Sequence, residues 1–192
     1  MLFTETKLKG SYIIELEKRE DQRGFFARAW CQKEFADHGL NANLVQASIS
    51  HNARRGTLRG MHYQAPPYEE TKLVRCTAGS IYDVLLDLRP ASATYRQWLG
   101  VELSASNYRS VYIPAGFAHG FLTLADDSEV TYQVSQFYHP ESARGVRYND
   151  PAFGIEWPME PVVISENDKS WASYRSGDGE ISLIESPMES GI

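Results

Sequence analysis

Little in this 192-residue sequence would cross-link it, anchor it in a bilayer or draw it to nucleic acid. Its only two cysteines, Cys31 and Cys76, have no CxxC spacing and are too few for a disulfide framework, so both are expected as free thiols. No apolar run approaches the ~20 residues that a membrane span needs. The opening MLFTETKLKG has no basic start, apolar centre or small-residue cleavage site, and the chain reads as cytoplasmic with no membrane partner. Net charge is -6, from 25 acidic and 19 basic residues, which argues against nucleic-acid and anionic-membrane binding. A GxxxxGK loop, a GxSxG elbow and a GxGxxG turn are all missing, which argues against nucleotide hydrolysis and nicotinamide chemistry.

What is there suits a globular chain built on strands. Hydrophobic residues make up 42% and charged residues 23%, and 11 Tyr, 8 Phe and 4 Trp lean toward β structure. A chain of this length buries roughly 70% of its unfolded surface as one domain. Strand-like runs are expected at 11–17, 25–30, 43–50, 57–64, 71–77, 80–88, 97–103, 109–113, 117–124, 129–137 and 144–148. CQKEFADHG at 31–39 reads as a helix stopped by Gly39, and ISENDKSWASY at 164–174 as a short helix capped by Ser165 or Asn167. Short strands at this spacing predict an antiparallel barrel or a two-sheet jelly roll. With no linker or repeat in view, residues 1–175 are expected as one domain and 176–192 as a polar, turn-rich tail.

The stretch LRGMHYQAPPYEETKLVRC at 58–76 concentrates the chemistry. Arg59, His62, Lys72 and Arg75 stand on two strand-like runs joined by a Pro-Pro turn, a way to hold a base and three cations around an anionic substrate. A lone strand histidine also serves as an ordinary structural residue. Strict alternation puts Arg59 and His62 on opposite faces, and a bulge at Gly60 would turn both inward. His119 lies in IPAGFAHGF, whose PxGxxH spacing is similar to the second metal motif of the cupin barrels. The first such motif needs HxH and a glutamate, where this chain has His62-Tyr63-Gln64, so no metal is expected. Tyr132 and Tyr138 read either as sheet packing or as phenols able to deliver a proton to a polar cavity. Asp168 reads as a helix-start acid and Asp83 as a strand acid that needs a partner if buried.

Taken in order, DQRGFF, LRGMHYQAPP, KLVRC, DVLLDLR, IPAGFAHGF, the run from Tyr132 to Tyr138, NDPAFGIEWP and ISENDKS resemble the dTDP-4-dehydrorhamnose 3,5-epimerase family from about residue 5 to about residue 174. The resemblance implies an all-β, cupin-type antiparallel jelly-roll barrel with a few short helices. It implies a homodimer without metal or cofactor, acting on a nucleoside-diphosphate-linked 4-keto-6-deoxyhexose. His62 would be the base, oriented by Asp168, with Lys72 stabilising the enolate and Tyr132 returning the proton. Arg23 and Arg59 would bind the diphosphate, Phe25 and Gln46 would lie near the nucleoside, His119 would touch the sugar, and Tyr138 would stand beside the acid. Ser48 and Arg28 fall near the nucleotide base, in places where an asparagine and a glutamate are expected. Arg23 is expected to serve the neighbouring subunit's site. Three readings follow: an epimerase at C3, C5 or both, on this or another nucleotide sugar; a non-catalytic nucleotide-sugar-binding jelly roll; and a metal-dependent cupin enzyme.

Overall fold

The structure is a computed structural model and describes residues 1–174. In chain order the strands are β1 (Leu2–Glu5), β2 (Tyr12–Glu15), β3 (Arg19–Asp21), β4 (Gly24–Phe26), β5 (Gln46–Asn52), β6 (Thr57–Gln64), β7 (Lys72–Ala78) and β8 (Ser80–Asp87). β9 (Trp98–Ser104), β10 (Ser110–Ile113), β11 (Phe117–Thr123), β12 (Ser128–Val134), β13 (Ala143–Gly145) and β14 (Val163–Ile164) follow. Two short helices, α1 (Gln32–Asp37) and α2 (Glu166–Ser170), complete the order, with one 3-10 turn at Pro140–Ser142. Gly39, at φ +70°, takes the left-handed position just beyond α1, and the Ser165 hydroxyl accepts the Asp168 N–H to cap α2.

The strands form two sheets, one ordered β1-β2-β10-β7-β12-β5 and the other β13-β6-β11-β8-β9, with β3 and β4 as a separate hairpin. This corrects the expected barrel. No strand is shared between the sheets and neither closes on itself, so the architecture is an open two-sheet sandwich. Alternating side chains specify a strand with one buried face, a condition that barrel and sandwich meet equally. Closure depends on edge pairing, which the alternation does not encode. The order is not wholly antiparallel either, because β14 runs parallel to the start of β6. The proposed tail at 176–192 lies outside the described residues.

The core lies between the layers. Val74, Cys76, Val111, Ile113 and Val130 of one sheet meet Ile81, Leu85, Val101, Leu103, Phe117 and Phe121 of the other. Phe35 of α1 seals the outer face of the first sheet against Ile14, Leu73 and Tyr112. The outer face of the second is covered by the stretch after β13, where Val146 and Phe153 join Met61, Val84 and Leu86.

β5 and β6 follow each other in sequence but go to different sheets, and this places the site. Inward positions of β5 are Gln46, Ser48 and Ser50, in register with Val134, Tyr132 and Val130 of β12. The inward residues of β6 include His62, in register with His119, which itself pairs with the core residue Leu85. Along this side the interlayer space is therefore lined by polar side chains, next to an apolar core.

Candidate active site

His62 and Arg59 reach the same face because β6 is irregular between them. His62 pairs with His119 and Arg59 with Phe121, so Gly60 and Met61 together oppose the single residue Gly120. That bulge is the one the sequence suggested. Gly60 adopts φ +135°, and a Cβ on it would stand 2.5 Å from the Gly120 Cα, so two strands touch through bare backbone here.

The same bulge receives Asp168. Along one edge of β6, β14 pairs at Thr57 and Leu58 and β13 pairs from His62 to Gln64. Between them the Gly60 N–H donates to Asp168 Oδ2 at 3.2 Å, while Asp168 Oδ1 lies 2.5 Å from His62 Nε2. Asp168 is only 4% exposed. Burial alone would raise its carboxyl, but the His62 hydrogen bond and charge, the Gly60 N–H and Ser165 outweigh it and hold the group below the ordinary carboxylate range. An ionised carboxylate only accepts, so His62 donates to it through Nε2–H, and in the neutral ring Nδ1 carries the lone pair.

Lys72 begins β7 and points inward with Val74 and Cys76. Its ammonium is paired with Glu70 Oε1 at 3.1 Å and donates to the His62 carbonyl oxygen at 3.3 Å. Tyr132 of β12 lies against the core from the same sheet, in register with Val74 and Ser48. His119 Nε2 meets Asp83 Oδ1 at 2.7 Å, which supplies the partner that a buried Asp83 requires. The second oxygen of Asp83 has no hydrogen-bond partner among the described residues. Arg59 is held by Asn52 Oδ1 at 2.7 Å. Gln46 Oε1 accepts the Tyr138 N–H at 3.1 Å, which links β5 to the exposed segment after β12.

Three expected residues lie elsewhere in the subunit. Arg23 and Phe25 belong to the β3–β4 hairpin, where Arg23 is paired with Asp21 at 2.6 Å. Phe25 packs edge-on against Tyr108, which also lies under Arg75, an outward residue of β7. This cluster is on the far side of that sheet from Lys72 and Tyr132. Arg28 is ion-paired with Glu34 of α1 at 3.0 Å on the surface. Among the described residues, no group of three His, Cys, Asp or Glu side chains is arranged to hold a metal ion.

Residues 5–176 match the family model described as dTDP-4-dehydrorhamnose 3,5-epimerase. The chain belongs to that family. A dTDP-4-dehydrorhamnose 3,5-epimerase of Methanothermobacter thermautotrophicus is 44% identical over 176 residues, covering 90% of this chain and 94% of that one. The crystal structure of one from Elizabethkingia anophelis superposes with a TM-score of 0.88 at 39% identity, over 91% of this chain and 96% of the other. A 3'-monoepimerase from Streptomyces bikiniensis, in complex with dTDP-quinovose, is also similar, at TM-score 0.80 and 30% identity over 88% and 85% of the two chains.

The protein is therefore an isomerase, an epimerase of a nucleoside-diphosphate-linked 4-keto-6-deoxyhexose acting near C3 and C5. Three residues that stabilise this site are not distinguishable in the sequence: Glu70 behind Lys72, Asn52 behind Arg59, and Gln64, which ties the segments around residues 68 and 137. Glu70 lies only two residues before Lys72 and Asn52 ends a strand, and nothing in their spacing tells them from surface polar residues. Among the described residues no helix is long and apolar enough to cross a membrane.

Proposed function

We propose that the enzyme inverts both C3 and C5 of dTDP-4-dehydro-6-deoxy-D-glucose, giving dTDP-4-dehydro-β-L-rhamnose, with His62 as the base. The C4 ketone acidifies the hydrogens on its neighbours. His62 Nδ1 removes one, the electron pair moves onto the C4 oxygen, and the Lys72 ammonium stabilises that enolate. Tyr132 returns a proton to carbon from the opposite face; solvent then takes the proton from His62 and restores the Tyr132 phenol, and the sequence repeats at the second centre. The observation that carries this reading is the Asp168 carboxylate on His62 Nε2, which leaves Nδ1 free to accept on the face of β6 that looks toward the sheet bearing Lys72 and Tyr132. A positioned acid or base contributes roughly 10² to 10⁴ in rate.

Arg59 is assigned to the diphosphate, where a guanidinium fork suits phosphate oxygens, and His119 and Tyr138 to the sugar end. Gln46 and Ser48 are assigned to the nucleoside. The position of Arg23, Phe25 and Arg28 beyond the outer face of their own sheet supports their service to a partner subunit in a homodimer. Phe26 at 74% and Ile49 at 67% exposure are large apolar side chains in need of such cover. Residues 1–175 act as one unit in this scheme. Unpaired Cys31 and Cys76 and a nucleotide-sugar substrate suit the cytoplasm.

The 3'-monoepimerase of the same fold supports a second reading, inversion at C3 alone. Proton NMR of the substrate in D₂O separates the two. Exchange at both carbons with formation of the L-rhamno product is the expected result, and exchange at C3 only replaces it with the second reading. No exchange from folded protein would overturn the dTDP assignment. A His62→Ala variant that retains turnover would remove His62 from the mechanism, whereas one that binds substrate without exchange supports its role as base.

A further inference from the structure

Glu70 is a carboxylate of the site with no part in the chemistry above, and both of its oxygens are occupied. Oε1 takes the Lys72 ammonium at 3.1 Å and Oε2 accepts from Gln64 Nε2 at 3.3 Å. The Glu70 side chain is only 13% exposed and that of Lys72 11%, so this is a largely desolvated ion pair inside a polar site. Gln64, 3% exposed, is itself fixed. The Tyr68 and Phe137 carbonyls also lie 3.0 and 3.1 Å from its Nε2, so two N–H groups are shared among three acceptors, and its Oε1 accepts the His139 N–H at 2.6 Å.

An ammonium has three donors on a flexible four-carbon stem. Here Glu70 takes one and the His62 carbonyl another, leaving a third whose direction is fixed by the other two. A partner for a developing oxyanion is effective when its direction is set before the charge appears. We infer that Gln64 and Glu70 form a brace that sets the Lys72 ammonium, which makes Glu70 a positioning residue for the reaction. The inference rests on the reading of Lys72 as the enolate partner.

The brace acts through placement, so an acceptor at position 70 matters more than its charge. Glu70→Ala removes the acceptor and frees the lysine stem, and kcat falls by about 10- to 100-fold, the cost of a misplaced oxyanion partner. KM stays within about threefold because substrate binding is left to other residues. Glu70→Gln can still turn its carbonyl oxygen to the Lys72 ammonium, but its NH₂ then meets Gln64 Nε2 donor against donor, so its kcat falls between wild type and Glu70→Ala. If Glu70→Ala does not fold, Glu70→Asp takes its place: it keeps the charge, withdraws it by one methylene and shows the same drop.

Steady-state kinetics on dTDP-4-dehydro-6-deoxy-D-glucose test the proposal, with thermal unfolding of each variant as the check on folding. Unchanged kcat in Glu70→Ala, or a rise in KM that accounts for the whole loss, would each overturn it. Lys72→Met separates this from the reading beneath it. Wild-type turnover in Lys72→Met removes Lys72 from the mechanism. An inactive Lys72→Met beside a fully active Glu70→Ala removes only the brace.

Discussion

Asp168→Asn changes one atom and sets a conflict that the fold cannot relieve. The carboxylate accepts from two donors, the Gly60 N–H at 3.2 Å and His62 Nε2 at 2.5 Å. An amide has one acceptor oxygen and one NH₂ group. With the oxygen toward His62, the NH₂ faces the Gly60 N–H, donor against donor. With the amide turned round, Nε2 must accept, the ring proton moves to Nδ1, and the base nitrogen is gone. Each lost or opposed hydrogen bond at a buried site costs about 1 to 3 kcal/mol. Loss of the reactive tautomer in a His-carboxylate pair costs up to ~10⁴ in turnover. We expect kcat for C3 and C5 exchange, followed by proton NMR in D₂O, to fall by roughly 10² to 10⁴, with stability lower by about 1 to 3 kcal/mol.

The acid dependence follows from the same carboxylate. Its folded-state pKa lies below the ordinary value, so its stabilisation is full above the unfolded pKa near ~3.9 and is lost as pH falls through the folded one. The stability gap between wild type and Asp168→Asn should narrow as pH falls through that window in urea titrations. Turnover in Asp168→Asn within about tenfold of wild type would refute the assignment of the tautomer to Asp168.

Gly60→Ala places a Cβ 2.5 Å from the Gly120 Cα at a left-handed φ, and should lower stability by about 3 kcal/mol, read as a shift in urea midpoint at unchanged slope. Gly145→Ala drives its Cβ to 2.3 Å from the Trp171 ring, just beyond α2. We expect it to displace the helix that carries Asp168 and lower kcat by at least about tenfold, with substrate binding by calorimetry retained. Ile49→Glu puts a charge on an exposed apolar position of an edge strand and should convert the proposed homodimer to monomer in sedimentation analysis. Burial pushes the Cys76 thiol up to about 11, so a disulfide reagent at pH 8 should label Cys76 only after denaturation.

The strand order along the chain was legible because alternation, turns and caps are local signals. The bulge at Gly60 was legible for the same reason, since Arg59 and His62 cannot share a face without it. Three short elements were missed: β1, four residues with no clear alternation; β3, three charged and exposed residues; and β14, two residues held by its neighbours. The openness of the sandwich was not legible, because pairing between strands distant in sequence leaves no period in either one. Of the site, His62, Lys72, Tyr132 and His119 announced themselves through residue type and motif. Glu70 and Asn52 did not, since what distinguishes them is contact with a cation across the fold.

The pair proposed as base and orienting acid spans 106 residues of chain, from β6 to the five-residue α2 beyond the last strand. Both sheets draw their central strands from residues 46–134, and a ribosome that has released that much has made the scaffold without its orienting carboxylate. Competence thus arrives late in synthesis, with the emergence of residue 168. A chain that stops short of α2 lacks the carboxylate proposed to orient the base, so turnover reports that the chain has been finished through α2.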